Sequence, residues 1–213
     1  MRIITRLDIK NPNLIKSVQL EGVKVVGDPI KFAEKYYIDG ADEIIYMDAV
    51  ASLYNRNSVF EIINKTAENI FIPMTVGGGL KNIEDVRKAL KNGADKVAIN
   101  TAAVSNPNFI KKAVNYFGSS TILLSIDYKI WPNDSFKKNK NKTVSHSELK
   151  DISKWKNHYQ VYTENGRQQT GLDAYEWSIE AEKLGIGEII LTSIDKEGIQ
   201  KGFELELSKK ISE

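Results

Sequence analysis

The chain has 213 residues, of which 41% are hydrophobic and 27% are charged, and its formal net charge is +2. This composition can supply one sizeable core and is typical neither of a disordered chain nor of a nucleic-acid-binding protein. No apolar run reaches the roughly 20 residues of a membrane span, so we expect no membrane contact. Cysteine is absent, which excludes disulfides and thiol catalysis and indicates a cytoplasmic protein.

Short apolar runs alternate with helical patterns along the chain. The apolar runs predict strands at residues 3–9, 43–48, 71–76, 96–100, 121–127 and 188–192. The helical patterns predict helices at residues 29–39, 58–69, 83–92, 107–116 and 173–184. Strands that alternate with helices favour parallel pairing through right-handed crossovers. We therefore predict an α/β fold whose strands are covered on both faces.

One polar stretch interrupts this alternation, at about residues 130–158. It is rich in Lys, Asn and Ser, and it is predicted to be an inserted surface loop. Its lysines could bind an anion or nucleic acid, but a solvated loop is the simpler interpretation because no aromatic stacking pattern accompanies them. The following Asn165-Gly166 pair predicts a β-hairpin turn. Only two histidines are present, so we expect no metal site and no Ser-His-Asp triad.

The two halves of the chain resemble each other. The first and fifth predicted strands, "RIITRLDIK" and "TILLSIDYK", both end in Asp-x-Lys, which places Asp8 and Asp127 at equivalent positions. An internal half-repeat of β/α units is typical of the eight-stranded TIM (β/α)8 barrel. In that fold the strand ends form the active face, so the two aspartates would oppose each other across one pocket.

The number of units is smaller than a complete barrel requires. About six β/α units fit into residues 1–213, whereas an eight-stranded barrel takes about 250 residues. We therefore expect a single, incomplete barrel domain and a gene that continues past Glu213 with two more β/α units. An open partial barrel is the alternative.

Polar residues at the strand ends predict a site for a phosphorylated substrate. Gly77, Gly78 and Gly79 would let backbone N–H groups approach an anion, with Asn100 and Thr101 beside them. Tight turns alone would also explain the glycines. Paired carboxylates suit general acid–base catalysis, because one can act as base while the other holds a proton. The alternative is that each aspartate forms an ion pair with the nearby Lys10 or Lys129.

Six blocks along the chain resemble the cyclase subunit of imidazole glycerol phosphate synthase, the HisF family. The blocks are "RLDIKNPNLIKSV", "FIPMTVGGGL", "GADKVAINTAAV", "FGSS", "LSIDYK" and "GEIILTSIDKEG". The resemblance implies an enzyme that takes ammonia from a glutaminase subunit (HisH-like). It would use the ammonia to cleave and cyclise a bisphosphorylated formimino-ribulosyl aminoimidazole carboxamide nucleotide. Imidazole glycerol phosphate and the carboxamide ribotide would be the products, and we expect no cofactor.

The resemblance also implies roles for individual residues. The catalytic acid and base would be Asp8 and Asp127. Substrate and phosphate contacts would come from Lys16, Gly79, Asn100, Thr101, Thr192 and Gly198. A charged ring at the opposite face, gating the entry of ammonia, would consist of Arg2, Glu43, Lys96 and Glu188. Asp95 would lie at the glutaminase interface.

Three departures from the family pattern stand out. Arg6 replaces a usual cysteine, Glu197 replaces a shorter aspartate, and the first loop reads "NPNLIK" instead of a form with Asp-Gly-Arg. Other segments resemble a cyclase-like branch associated with surface polysaccharides. One alternative function is therefore the amidation of a sugar nucleotide, and another is a truncated, non-catalytic docking scaffold.

Overall fold

The computed structural model describes residues 1–51, 59–132 and 157–213. Most of the predicted polar insertion at 130–158 lies outside the described residues, as does His146. None of the helices in the described ranges is long and apolar enough to cross a membrane.

Ten strands and seven α-helices make up the described structure. The strands are β1 Ile4–Lys10, β2 Asn13–Val18, β3 Glu21–Gly27, β4 Glu43–Asp48, β5 Met74–Gly77, β6 Lys96–Ile99, β7 Ile122–Pro132, β8 Asn157–Thr163, β9 Gln168–Asp173 and β10 Glu188–Ser193. The helices are α1 Pro29–Ile38, α2 Val59–Ala67, α3 Ile83–Lys91, α4 Thr101–Ser105, α5 Pro107–Phe117, α6 Ala174–Lys183 and α7 Glu206–Ser212.

Six parallel strands form the centre of the sheet, in the order β1-β4-β5-β6-β7-β10. They coincide with the six strands predicted from the sequence, and helices follow them in the predicted α/β alternation. Pro29 and Pro107 begin α1 and α5, where a missing N–H costs nothing. Within the described residues β10 has a strand partner on one side only, so the parallel sheet is open between β10 and β1.

Two antiparallel hairpins extend this sheet at the C-terminal ends of its strands. The β8–β9 hairpin turns at Glu164, Asn165 and Gly166, all with positive φ, as the Asn-Gly pair predicted. The β2–β3 hairpin was predicted only as a loop. Every residue of β3 before Gly27 is exposed, so this strand lacks the apolar alternation by which strands are recognised.

The larger core lies between the sheet and the helices, and a smaller cluster fills the inside of the curved sheet. Leu7 and Ile9 of β1 belong to the large core. The inner cluster contains Ile45, Met47, Ala98 and Leu123, with Ile190 packed against it. The same alternation sends Arg6 and Asp8 of β1 to the inner side, so the polar residues at the strand ends stand above an apolar layer.

Candidate active site

Two adjoining cavities open at the C-terminal ends of the parallel strands. The first, of about 370 Å³, is lined by Gly79, Asn100, Thr101 and Asp127. The second, of about 730 Å³, is lined by residues that include Asp8, Lys16, Thr192 and Gly198. The structure therefore brings the predicted catalytic and phosphate-binding residues together at the C-terminal ends of the strands. Arg6 lines both cavities and stands between them.

Asp127 is buried at the floor of the first cavity. Its Oδ2 accepts a hydrogen bond from Nδ2 of Asn100 at 2.9 Å, and Oδ1 is buried with no hydrogen-bond partner among the described residues. Burial raises the pKa of the Asp127 carboxyl, and this effect outweighs the charge of Arg6 and the neighbouring Thr192 and Asn100 side chains, which lower the pKa. Asp127 is thus a carboxyl group whose protonated form is favoured by its surroundings.

Asp8 has a different environment. Its Oδ1 accepts a hydrogen bond from Nε of Arg6 at 2.8 Å, and the two side chains form an ion pair. The basic partner of Asp8 is therefore Arg6. The alternative interpretation of the sequence, an ion pair with Lys10, is not what the structure shows. Lys129 lies over the Tyr162 ring, with Nζ 5.3 Å from the ring centroid. The two aspartates differ in burial and in partner, as general acid–base catalysis requires.

The predicted phosphate cradle is assembled from two strand ends, those of β5 and β6. Gly79 has φ +70°, and a Cβ there would lie 2.6 Å from Cβ of Ala51, so a larger residue would not fit. Thr101 begins α4, and its Oγ1 accepts a hydrogen bond from the backbone N–H of Glu164 at 3.1 Å. The β8–β9 hairpin thus covers one side of the cavity.

The second predicted phosphate position lies under the β2–β3 hairpin. Lys16 and Glu197 form an ion pair, and the backbone N–H of Gln19 donates to the carbonyl of Glu197 at 3.0 Å. Gly198 has φ +73°, and a Cβ there would lie 2.4 Å from the carbonyl oxygen of Ser17. The glycine therefore permits close approach of the hairpin. A phosphate contact at Lys16 and Gly198 stays a prediction.

The four residues of the predicted charged ring meet at the N-terminal face. Nζ of Lys96 lies 3.1 Å from a carboxylate oxygen of Glu43 and from Glu188, and Nη2 of Arg2 lies 3.1 Å from Glu188. Arg2 also contacts Glu43. Burial acts to raise the pKa of Glu188, but hydrogen bonds and charges from Arg2 and Lys96 outweigh it and lower the pKa. The four charged residues thus form one network of ion pairs at the N-terminal ends of the strands.

Asp95, the predicted interface residue, accepts a hydrogen bond from the backbone N–H of Met74 at 2.8 Å. This hydrogen bond ties the turn before β6 to the start of β5. The predicted place of Asp95 at the glutaminase interface stays a prediction.

Two acidic residues of the first cavity were not predicted as site residues. Asp48, at the end of β4, is buried, and its Oδ1 accepts hydrogen bonds from the backbone N–H groups of Val50 and Ala51 at 3.0 and 2.9 Å. Burial raises its pKa. Its place at a strand end was a signal available in the sequence. Glu164 also lines this cavity. It lies in the turn of the β8–β9 hairpin and not at the end of a parallel strand, so its position in the sequence did not indicate a site residue.

Known proteins resemble this chain over nearly its whole length. The family model described as histidine biosynthesis protein matches residues 2–213. A Legionella pneumophila protein is 51% identical over 212 residues, covering all of this chain and 89% of that relative. Relatives from Methanocaldococcus jannaschii and Thermococcus onnurineus are 45% and 39% identical, and the alignments cover 99% and 100% of this chain and 76% and 75% of the relatives.

All three relatives are named imidazole glycerol phosphate synthase subunit HisF. The prediction of the family is confirmed, and with it the TIM-barrel fold class. The chain is a member of the HisF family.

Proposed function

We propose that this protein is the cyclase subunit of imidazole glycerol phosphate synthase, a lyase of histidine biosynthesis. It would use ammonia to convert the bisphosphorylated formimino-ribulosyl aminoimidazole carboxamide nucleotide to imidazole glycerol phosphate and the carboxamide ribotide. The observation that carries this proposal is the meeting of Asp8 and Asp127, in different environments, at one strand-end site of a HisF-family chain.

The two carboxyl groups can divide the proton transfers of a ring closure. Buried Asp127 favours its protonated form, so it can donate a proton to a leaving nitrogen. Asp8, paired with Arg6, can accept one. General acid–base catalysis of this kind contributes about 10²–10⁴ in rate. No cofactor is proposed, because addition of ammonia, cleavage and ring closure need only proton transfers.

The shape of the site supports a substrate with a phosphate at each end. The first cavity offers Gly79, Asn100 and Thr101, and the second offers Lys16 and Gly198. The cavities adjoin at Arg6, so one extended molecule could occupy both and pass over the aspartates. Two anionic ends held in this way would fix the reacting centre between them, which is how remote binding groups favour reaction.

The N-terminal face supports a glutaminase partner. Ile3, Ile38, Phe71 and Tyr116 are 60%, 81%, 79% and 68% exposed. Each lies before a parallel strand or at the end of a helix that leads to one, so all four lie at the N-terminal end of the sheet, as the charged ring does. Clustered exposed apolar side chains mark interaction sites. A glutaminase subunit docked here, forming a heterodimer, would release ammonia directly at Lys96 and Glu188.

The named relatives favour this function over the amidation of a sugar nucleotide and over a non-catalytic scaffold. Asp127 is buried, and its pKa is raised, as is typical of a reactive carboxyl group. This setting favours a catalytic role over that of a docking scaffold. We also propose a cytoplasmic location, which the cysteine-free composition supports.

The test supplies the bisphosphate substrate and an ammonium salt to the purified protein and follows imidazole glycerol phosphate. We expect product without any partner, because free ammonia can reach the site from solvent. Lys111→Ala, an exposed change on α5, is the control and should retain full activity. A folded protein that forms no product, but amidates a sugar nucleotide under the same conditions, would replace this proposal with the alternative.

A further inference from the structure

Arg6 connects the two proposed catalytic residues. Its Nε donates to Oδ1 of Asp8 at 2.8 Å, and its Nη1 donates to Oγ1 of Thr192 at 2.7 Å. Thr192 is the register neighbour of Asp127 on the adjoining strand. Nδ2 of Asn100 donates to Oδ2 of Asp127 at 2.9 Å. Arg6 thus reaches from Asp8 on β1 to the strand neighbour of Asp127 on β10.

The direction of these bonds is fixed by chemistry. A guanidinium only donates, so the Thr192 hydroxyl accepts from Arg6 and does not compete with Asp8 for the guanidinium as an anion would. Asp8 accepts a hydrogen bond from the cation directly, whereas the charge of Arg6 acts on Asp127 only through space. A direct charge-assisted bond is about twice as strong as a neutral one.

Resting on the proposed function, we propose that Arg6 is a positioning residue that assigns the acid–base roles, holding Asp8 as the carboxylate base and leaving Asp127 as the proton donor. The side chain of Arg6 is only 22% exposed and stands where the two cavities meet. It is therefore placed to act on both aspartates at once, and solvent screens it little.

The charged surroundings are consistent with this assignment. The groups that act on Arg6 are Asp8, Asp127 and Glu197, and those that act on Asp127 are Arg6 and Asp8. Glu197 is itself paired with Lys16. Arg6 is thus the cation shared by the two aspartates, and its removal would leave two carboxyl groups facing each other without it.

A purely mechanical role offers a competing explanation. Arg6 joins β1 to β10 across the opening in the parallel sheet, where no backbone pairing was found within the described residues. Loss of that link would lower stability and activity together, but it would not change which pH the reaction prefers. The pH dependence therefore distinguishes a positioning role of Arg6 from a purely structural link between β1 and β10.

The experiment compares wild type, Arg6→Lys and Arg6→Met. In Arg6→Met the Asp127 carboxyl loses a nearby positive charge that lowers its pKa, so the limb of the kcat/KM profile that reports Asp127 should move to higher pH. Arg6→Lys keeps the charge but not the planar fork, so its limbs should stay near those of wild type while kcat falls about tenfold. Thermal melting of each variant identifies the folded fraction for normalisation.

A second readout needs no turnover. Carbon-13 NMR titration of the aspartate carboxyl groups should show the pKa of Asp127 higher in Arg6→Met than in wild type and little changed in Arg6→Lys. This result would support the assignment even if the histidine-pathway substrate were not turned over, so the two proposals can fail separately. Two results would show that Arg6 is only a structural link between β1 and β10. One is an unchanged titration of Asp127 in Arg6→Met, and the other is an equal loss of activity in both variants with an unchanged pH profile of kcat/KM.

Discussion

Asn100 donates a hydrogen bond from its side-chain amide to Oδ2 of Asp127 at 2.9 Å, and it also donates to the carbonyl of Tyr162 at 3.1 Å. A residue predicted to bind phosphate therefore also orients a predicted catalytic carboxyl group. The amide fixes one oxygen of Asp127 and leaves Oδ1 without a partner among the described residues. The carboxyl group is buried at a cost to the fold that its surroundings do not fully offset.

That cost predicts a stabilising substitution, Asp127→Asn. The pKa of Asp127 is raised above its ordinary value of 3.8, so the native state binds the proton more tightly than the unfolded chain does. The free energy of unfolding therefore falls as pH rises from 3.8 through the raised pKa, and it stays lowered above it. At pH 7 the asparagine variant should gain on the order of 1 kcal/mol.

Urea unfolding of both proteins at several pH values tests this expectation. The gain should shrink as pH falls through the raised pKa and vanish below 3.8. Asp39→Asn, at an exposed helix end, is the control and should change stability little at any pH. A variant less stable than wild type at pH 7 would mean that the ionised carboxylate is favourable in the fold.

The charged ring predicts a selective defect in the use of glutamine. Lys96 bridges Glu43 and Glu188, so Lys96→Met should disturb the passage of ammonia from a bound glutaminase. Activity with glutamine and the partner should fall several-fold more than activity with an ammonium salt, because free ammonia can reach the site from its open face. Lys111→Ala serves as the control. Equal losses in the two assays would indicate ordinary damage to the sheet.

Alanine substitution at two glycines with similar φ can distinguish the cost of backbone strain from the cost of a steric clash. Gly198 and Gly202 have φ of +73° and +78°, but only at Gly198 would a Cβ meet another atom, the carbonyl oxygen of Ser17 at 2.4 Å. Gly198→Ala and Gly202→Ala should share the cost of an alanine at positive φ, roughly 1 kcal/mol. Gly198→Ala should lose more, and the β2–β3 hairpin should lose protection in hydrogen exchange. Equal changes in unfolding free energy and protection would show that the hairpin contact contributes nothing.

The strands β4, β5, β6 and β7 could be predicted from the sequence because most of their residues are buried on both faces. The predicted strand at 43–48 matches β4, all of whose residues are buried. The exposed strand β3 could not be predicted, since nothing in its pattern distinguishes it from a loop. Strand pairing with β2 gives it order, and that partnership is visible only in three dimensions.

The site residues divide in a similar way. Asp8, Asp127 and the strand-end glycines were predictable because position along a strand decides which end of the sheet a residue reaches. Arg6 was noted only as a departure from the family pattern, because its importance depends on what lies across the opening between β1 and β10. Its contact with Thr192 joins residues 186 positions apart in sequence.

The central claim is that Asp8 and Asp127 carry the acid–base chemistry of an ammonia-dependent cyclisation. The most direct test measures ammonium-driven formation of imidazole glycerol phosphate by wild type, Asp8→Asn and Asp127→Asn, with substrate affinity measured separately. We predict that each variant loses about 10²–10⁴ in kcat while binding substrate within about tenfold of wild type, because acid–base catalysis contributes that much to rate. Retention of more than half of the wild-type activity by both variants would contradict the claim.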